Sequence, residues 1–138
     1  MRLFLDIDGV FLLRGGALAQ GAEAFLCWAV ANHTPLWLST RTRTGENTGA
    51  CQALAQASHM DMVSAIPAAA FGTVKTDALP LDTGGWLWID DGPLWSERAV
   101  LAKVRAERRL LLTRSDKETQ ALARLPSRIN NVFAQSQQ

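Results

Sequence analysis

Short runs of apolar residues, each ending in a polar or acidic one, alternate along this chain with longer stretches whose apolar positions recur at helical spacing. Arg2 to Ile7 is apolar at nearly every position before its acids, the character of a strand buried on both faces of a parallel sheet. Leu36-Trp37-Leu38, ending at Ser39-Thr40, and Trp86-Leu87-Trp88-Ile89, ending at Asp90-Asp91, repeat that character. Val63 to Ile66 and Arg109 to Thr113 predict two further short strands. Between them, Gly21 to Asn32 places Ala22, Phe25, Leu26, Ala29 and Val30 at helical spacing, and Asn32-His33 before Thr34-Pro35 supplies the stop. After a polar loop from Arg41 to Thr48, an Ala-, Leu- and Gln-rich helix is predicted to reach about Ser58. Trp95 to Val104 and Lys117 to Leu125 predict the last two helices. Val10 to Leu13 reads as a short extended flap, Arg14-Gly15-Gly16 and Asp82-Thr83-Gly84-Gly85 as turns, and Pro67 to Phe71 as the start of a loop or helix carrying Lys75.

Strands alternating with helices imply right-handed crossovers and an α/β fold, a three-layer doubly wound parallel sheet with helices on both faces. No linker divides the chain, and 138 residues suffice for one core but not for two ordinary domains. The expectation is a single domain over residues 1–134 and a frayed glutamine-rich tail over 135–138.

Composition narrows the class. With 48% hydrophobic and 20% charged residues the chain is a folding protein and not a disordered tail. No apolar run approaches the roughly 20 residues needed to cross a bilayer, and Asp6 interrupts the N-terminal apolar stretch before a signal peptide could form. A cytoplasmic protein with no membrane contact is expected. Cys27 and Cys51 form no CxxC pair and lack a histidine at zinc-binding spacing, so both read as buried thiols. Residues 1–96 carry five basic and nine acidic side chains, whereas 97–138 carry nine basic and four acidic. A basic final third favours a polyanionic partner, although a solvated helix face has the same composition.

The candidate chemistry lies where the apolar runs end. Functional groups of open α/β sheets gather at the carboxyl ends of the strands, and Asp6, Asp8, Ser39, Asp90 and Asp91 all occupy such ends. Carboxylates brought together repel unless a cation joins them, so convergence predicts a metal, and an all-oxygen site points to Mg²⁺. A carboxylate suffices as nucleophile for phosphoryl transfer, where the protein chiefly aligns groups and neutralises charge. Asp6 fits that role, and Asp8, two residues on, fits general acid and base. Ser39 offers a hydroxyl, the loop from Thr40 offers backbone N–H groups, and Lys75 supplies positive charge. Asp90 and Asp91 would hold the metal, one of them directly. Arg41 and Arg43 stand close enough to Ser39 to reach a further substrate phosphate. A calcium loop is excluded, because Asp8-Gly9 is followed by Val10-Phe11-Leu12-Leu13 with no further oxygen ligands. Trp28, Trp37, Trp86 and Trp88 read as core packing and only Trp95 as an open case, while His33 and His59 are not spaced as ligands.

Leu3-Phe4-Leu5-Asp6-Ile7-Asp8-Gly9-Val10 resembles the first motif of the haloacid dehalogenase (HAD) superfamily. Leu36-Trp37-Leu38-Ser39 resembles the second motif, Lys75 the third, and Trp86-Leu87-Trp88-Ile89-Asp90-Asp91 the fourth, in order over residues 2–95. The resemblance implies a Mg²⁺-dependent phosphohydrolase in which Asp6 forms an aspartyl-phosphate and Asp8 is general acid and base. It implies Ser39 and Lys75 as phosphate ligands, and Asp6, the Asp8 carbonyl and Asp90 as metal ligands. Cap insertions that choose substrates in this superfamily have no room here, leaving a flap only and an open site. An open site implies a macromolecular phosphate, such as a nucleic-acid end or a phosphoprotein, or closure by an oligomeric partner that no sequence feature indicates. The lysine and the Asp-Asp pair also resemble small HAD domains associated with RNA repair. Two other readings stand beside this one: a catalytically silent HAD-like module that binds a phosphate or a partner, and a phosphotransferase such as a mutase.

Overall fold

The computed structural model describes residues 1–58 and 60–136. Four strands, β1 (Arg2–Leu5), β2 (Thr34–Trp37), β3 (Trp86–Asp90) and β4 (Leu110–Leu112), form one sheet in the order β2-β1-β3-β4, with every neighbouring pair parallel. The helices are α1 (Ala22–Asn32), α2 (Thr48–Ala53), α3 (Met60–Ala65), α4 (Trp95–Lys103) and α5 (Ala121–Ser136). This is a Rossmann-like α/β fold with an all-parallel sheet. None of its helices is long and apolar enough to cross a membrane among the described residues.

Alternation along the strands divides the apolar side chains between the two sheet faces. Leu3, Leu5, Trp37, Leu87, Ile89 and Leu111 join one buried cluster with residues of α1, α2, α3 and α5. Phe4, Leu38, Trp86 and Trp88 join a second cluster with Leu101 of α4 and with Phe71 and Leu79 of the long connection before β3. Because both faces are covered, the strands lack the alternating polar face of a half-exposed sheet.

Several expected elements differ. Val63 to Ile66 is not a strand: Val63 lies within α3, which ends at Ala65, and Ile66 follows the helix directly, both side chains being buried. The Asn47 amide donates to the carbonyls of Ser64 and Ile66, at 2.6 and 3.1 Å, and so fixes the helix end. What remains beside β2 is a single bridge between Trp37 and Ala68, just after Pro67, which has no N–H to extend a ladder. Helix α2 stops at Ala53 and not near Ser58, where both the N–H and the hydroxyl of Ser58 donate to the Glu23 carboxylate on α1 at 2.6 Å. Helix α5 begins later than Lys117 and runs through Pro126 to Ser136, because Leu122, Leu125 and Ile129 continue a buried stripe past the proline. Gln135 and Ser136 therefore belong to this helix, and the remainder of the expected tail lies outside the described residues.

The flap is not an extended arm. Val10 and Phe11 are fully buried, and the Phe11 ring packs 5.8 Å from Phe25 and 5.9 Å from Trp37, so the segment after the first strand is pinned into the core. Cys27 is exposed and Cys51 half-buried, correcting the expectation of two buried thiols; Cys27 sits on the outward side of α1 between the inward Leu26 and the half-buried Trp28.

Candidate functional site

The chain leaves β1 in one lateral direction toward β2 and later returns on the other side as β3, so the strand order reverses between β1 and β3. That reversal opens a crevice at the carboxyl ends. Leu5 pairs with Ile89, and the Asp6 N–H donates to the Ile89 carbonyl at 2.9 Å, which sets Asp6 beside Asp90 across the crevice. Oxygens of Asp6, Asp90 and Asp91 lie within 4.8 Å of one another. Asp6 and Asp90 are almost fully buried.

Lys75 begins a single 3-10 turn, Lys75–Ala78, and its Nζ lies 3.0 Å from Asp6 Oδ1 and 2.7 Å from Asp90 Oδ2. Three carboxylates and one ammonium leave two formal negative charges in this cluster, of which Asp91 is the half-buried member. The strain shows in the acidities. Burial first, and then the Asp90 charge, hold the Asp6 carboxyl well above the usual carboxylate range, although Lys75 pulls it down. Burial likewise raises Asp91, against a hydrogen bond with Asp6 that lowers it. Burial works against the Lys75 charge, but Asp6 and Asp90 overcome it and raise the lysine above its ordinary value. A divalent cation matches both the all-oxygen donor set and the residual charge.

Gly9 is required for this packing. Its φ is +78°, and a Cβ there would stand 2.1 Å from Asp91 Oδ2, so the Asp91 side chain occupies the space a larger residue would need. Two residues that sequence reasoning passed over hold the neighbouring loops. Glu97, buried at the start of α4, accepts the N–H of Lys75 at 2.6 Å and that of Leu94 at 2.8 Å. Ser115, buried after β4, donates its hydroxyl to the Val10 carbonyl at 2.6 Å, and its N–H donates to the Gly9 carbonyl at 2.9 Å. The signal for Glu97 was its place as the third residue of a helix that lacks a Ser, Thr, Asp or Asn cap; Ser115 gave none.

The other expected residues separate into near and far. Asp8 is not in the carboxylate cluster; exposed at the rim, it receives both Nε and Nη2 of Arg41 at 2.8 Å. This corrects the expected convergence of four carboxylates, because Gly9 turns the chain and leaves the Asp8 side chain outward. Ser39 is fully buried at the end of β2, with its Oγ accepting the Arg41 N–H at 3.1 Å; Thr40 is exposed on the turn that follows. Arg43 is removed from the site, its guanidinium lying 5.1 Å over the Phe71 ring. Trp37, Trp86 and Trp88 are fully buried, Trp28 is half-buried against Phe25, and Trp95 is 83% exposed. His33 packs at a tilt against Trp28, ring centroids 5.0 Å apart, and His59 lies outside the described residues. In the basic final third, Arg109 lies over Trp86 and Arg128 donates to the Leu112 carbonyl, while Arg114 and Lys117 line a cleft beside Gly9 and Asp91.

Comparison of the chain with protein-family models, with curated proteins and with solved structures gave no match.

Proposed function

We propose that this protein is a Mg²⁺-dependent phosphohydrolase of the HAD type, a three-layer domain with no cap, which cleaves phosphate monoesters through an aspartyl-phosphate on Asp6. The observation that carries this reading is the Asp6–Asp90–Asp91 cluster, its first two members buried and Asp91 half-buried, with Lys75 between Asp6 and Asp90, at the switch point of a parallel sheet. A structural role accounts poorly for two buried carboxylates and a half-buried third set against one ammonium, since burying charge without full pairing is costly. Helices α2 and α3 occupy part of the interval between Ser39 and Lys75, and Ala50 of α2, Leu54 just after it and Val63 of α3 belong to the sheet core, which favours a reading without a cap.

Asp6, Asp90 and Asp91 would hold the metal, which when bound supplies charge neutralisation for phosphate and carboxylates together. In the first half-reaction an Asp6 oxygen attacks phosphorus in line, the bond from phosphorus to the leaving oxygen breaks, and Asp8 gives that oxygen a proton. In the second, Asp8 takes a proton from water, water attacks phosphorus, and the bond to Asp6 breaks to release inorganic phosphate. Lys75 balances charge on the nucleophile and the phosphoryl oxygens throughout. Asp8 can act only after turning inward from Arg41.

That Asp8–Arg41 pair favours the rival reading of a silent phosphate-binding module, because it occupies both oxygens of the general acid. One assay separates the two: phosphate release from aryl, nucleotide and phosphorylated oligonucleotide esters, with Mg²⁺ or EDTA, for wild type and Asp6→Asn. Metal-dependent release that disappears in Asp6→Asn supports hydrolysis; equal inertness of both proteins, with beryllofluoride still bound, supports the module.

A further inference from the structure

Arg41 has a fixed backbone and an exchangeable head. Its N–H is held by Ser39 Oγ, and its carbonyl is packed so closely against Gly49 that a Cβ there would lie 2.1 Å from the Arg41 oxygen. Its guanidinium is held by Asp8 at a mouth where the two side chains remain 41% and 51% exposed. Exposed ion pairs contribute about 0–1 kcal/mol, so an incoming anion displaces one at little cost. A phosphate offers the guanidinium the same two-pronged geometry with more charge. The pair opens onto a cleft of about 350 Å³ that Arg14 also lines. A second cleft of about 530 Å³ shares Gly9, Arg14, Asp91 and Asp116 with the first and adds Arg114 and Lys117. The two clefts thus extend outward from the carboxylate crevice, beyond what a single phosphoryl group would occupy. Arg14, Arg41, Arg114 and Lys117 are set there among Asp8, Asp91 and Asp116, and Arg114 donates its Nε–H to the Asp91 carbonyl at 3.0 Å.

We infer, resting on the phosphohydrolase reading above, that the substrate is a phosphate monoester carrying a second phosphate, and that Arg41 reads this second group by exchanging Asp8 for it. The exchange couples recognition to chemistry. A substrate with the second phosphate releases the Asp8 carboxylate to turn toward the leaving oxygen, whereas one without it leaves Asp8 on Arg41. Arg41 then affects kcat as well as KM, which a residue contributing only to the fold would not do selectively.

The second phosphate belongs either to a small bisphosphate or to a polynucleotide backbone, and the test has an arm for each. A nucleoside 5′-monophosphate, a nucleoside 3′,5′-bisphosphate and a 5′-phosphorylated oligonucleotide are compared as substrates of wild type and Arg41→Gln in Mg²⁺. The same three are titrated calorimetrically against Asp6→Asn with and without Arg41→Gln. Wild type is expected to favour the bisphosphate or the oligonucleotide over the monophosphate by about tenfold in kcat/KM, the worth of one charge-assisted hydrogen-bonded contact. Arg41→Gln should reduce that preference to about threefold or less, with the matching loss of affinity in the titration. The favoured arm identifies the source of the second phosphate. An unchanged preference in Arg41→Gln, or no preference in wild type, overturns the inference. Turnover without the preference sinks only this inference. Arg41-dependent binding of the doubly phosphorylated ligand without turnover of any ester sinks the phosphohydrolase reading, and the ligand assignment survives.

Discussion

Replacing Gly9 by alanine tests whether Asp91 belongs to the metal-binding cluster. The new Cβ would stand 2.1 Å from Asp91 Oδ2 and 2.6 Å from its Cγ, so the carboxylate has to swing away. Holding alanine at a φ of +78° adds strain, about 1–2 kcal/mol for a non-glycine residue in the left-handed region. Part of that loss is returned in metal-free protein, because one member leaves a cluster in which buried carboxylates repel. With Mg²⁺ at about a hundred times its Kd, wild type gains about 2.7 kcal/mol from binding. The variant, with two of the three carboxylates in place, gains far less. The gap in Tm between wild type and Gly9→Ala should therefore be small in EDTA and widen with Mg²⁺, by roughly 3–5 °C per kcal/mol at this chain length. Thermal unfolding of both proteins across a Mg²⁺ titration measures it. Equal metal-induced shifts in the two proteins would show that Asp91 plays no part in holding the ion.

Three further outcomes follow from the same geometry. Lys75→Met leaves Asp6 and Asp90 without their ammonium and should cost about 3–5 kcal/mol in urea unfolding at neutral pH; a cost under about 1 kcal/mol would mean the lysine is not the counter-charge. Glu97→Gln replaces one of two acceptors with a donor facing the N–H of Lys75 or Leu94, an unpaired group worth about 1–3 kcal/mol. Faster amide exchange at Lys75 or at Leu94 should accompany the loss, and unaltered exchange at both would contradict the assignment. Because the folded state raises the Asp6 carboxyl above its ordinary 3.8, the folded state holds a proton that the unfolded chain releases. Metal-free stability should accordingly fall as pH rises from 3.8 toward the raised folded value and level off beyond it. Subtracting the same curve for Asp6→Asn isolates this slope, and a difference curve that is flat or rises with pH would refute it.

The strands were legible because burial on both faces leaves runs with no polar alternation to confuse them: Leu3 to Leu5 and Trp86 to Ile89 are apolar throughout and buried throughout. Their terminal acids exposed Asp6, Asp90 and Asp91 in the same way, since a buried carboxylate at a strand end has little structural use. Val63 to Ile66 misled because four residues cannot distinguish period two from one helical turn, and the deciding contact, the Asn47 amide, lies sixteen residues upstream of Val63. Asp8 stood near Asp6 in sequence, but the direction of its side chain depends on the Gly9 turn and on Arg41, thirty-three residues away. Ser115, and the bond from Glu97 to Lys75 as distinct from its local one to Leu94, were illegible for a related reason. These bonds reach backbone groups of a distant loop, which nothing in the surrounding sequence marks.

Trapping the covalent state addresses the proposed chemistry most directly. Wild type, turned over with the best phosphate ester in Mg²⁺ and quenched in acid, is digested and searched by mass spectrometry for a phosphoryl group on Asp6. The nucleophile assignment predicts that group on the peptide containing Asp6 in wild type and nowhere in Asp6→Asn. Turnover with no phosphorylated Asp6, or with the phosphoryl group on another residue, would contradict it.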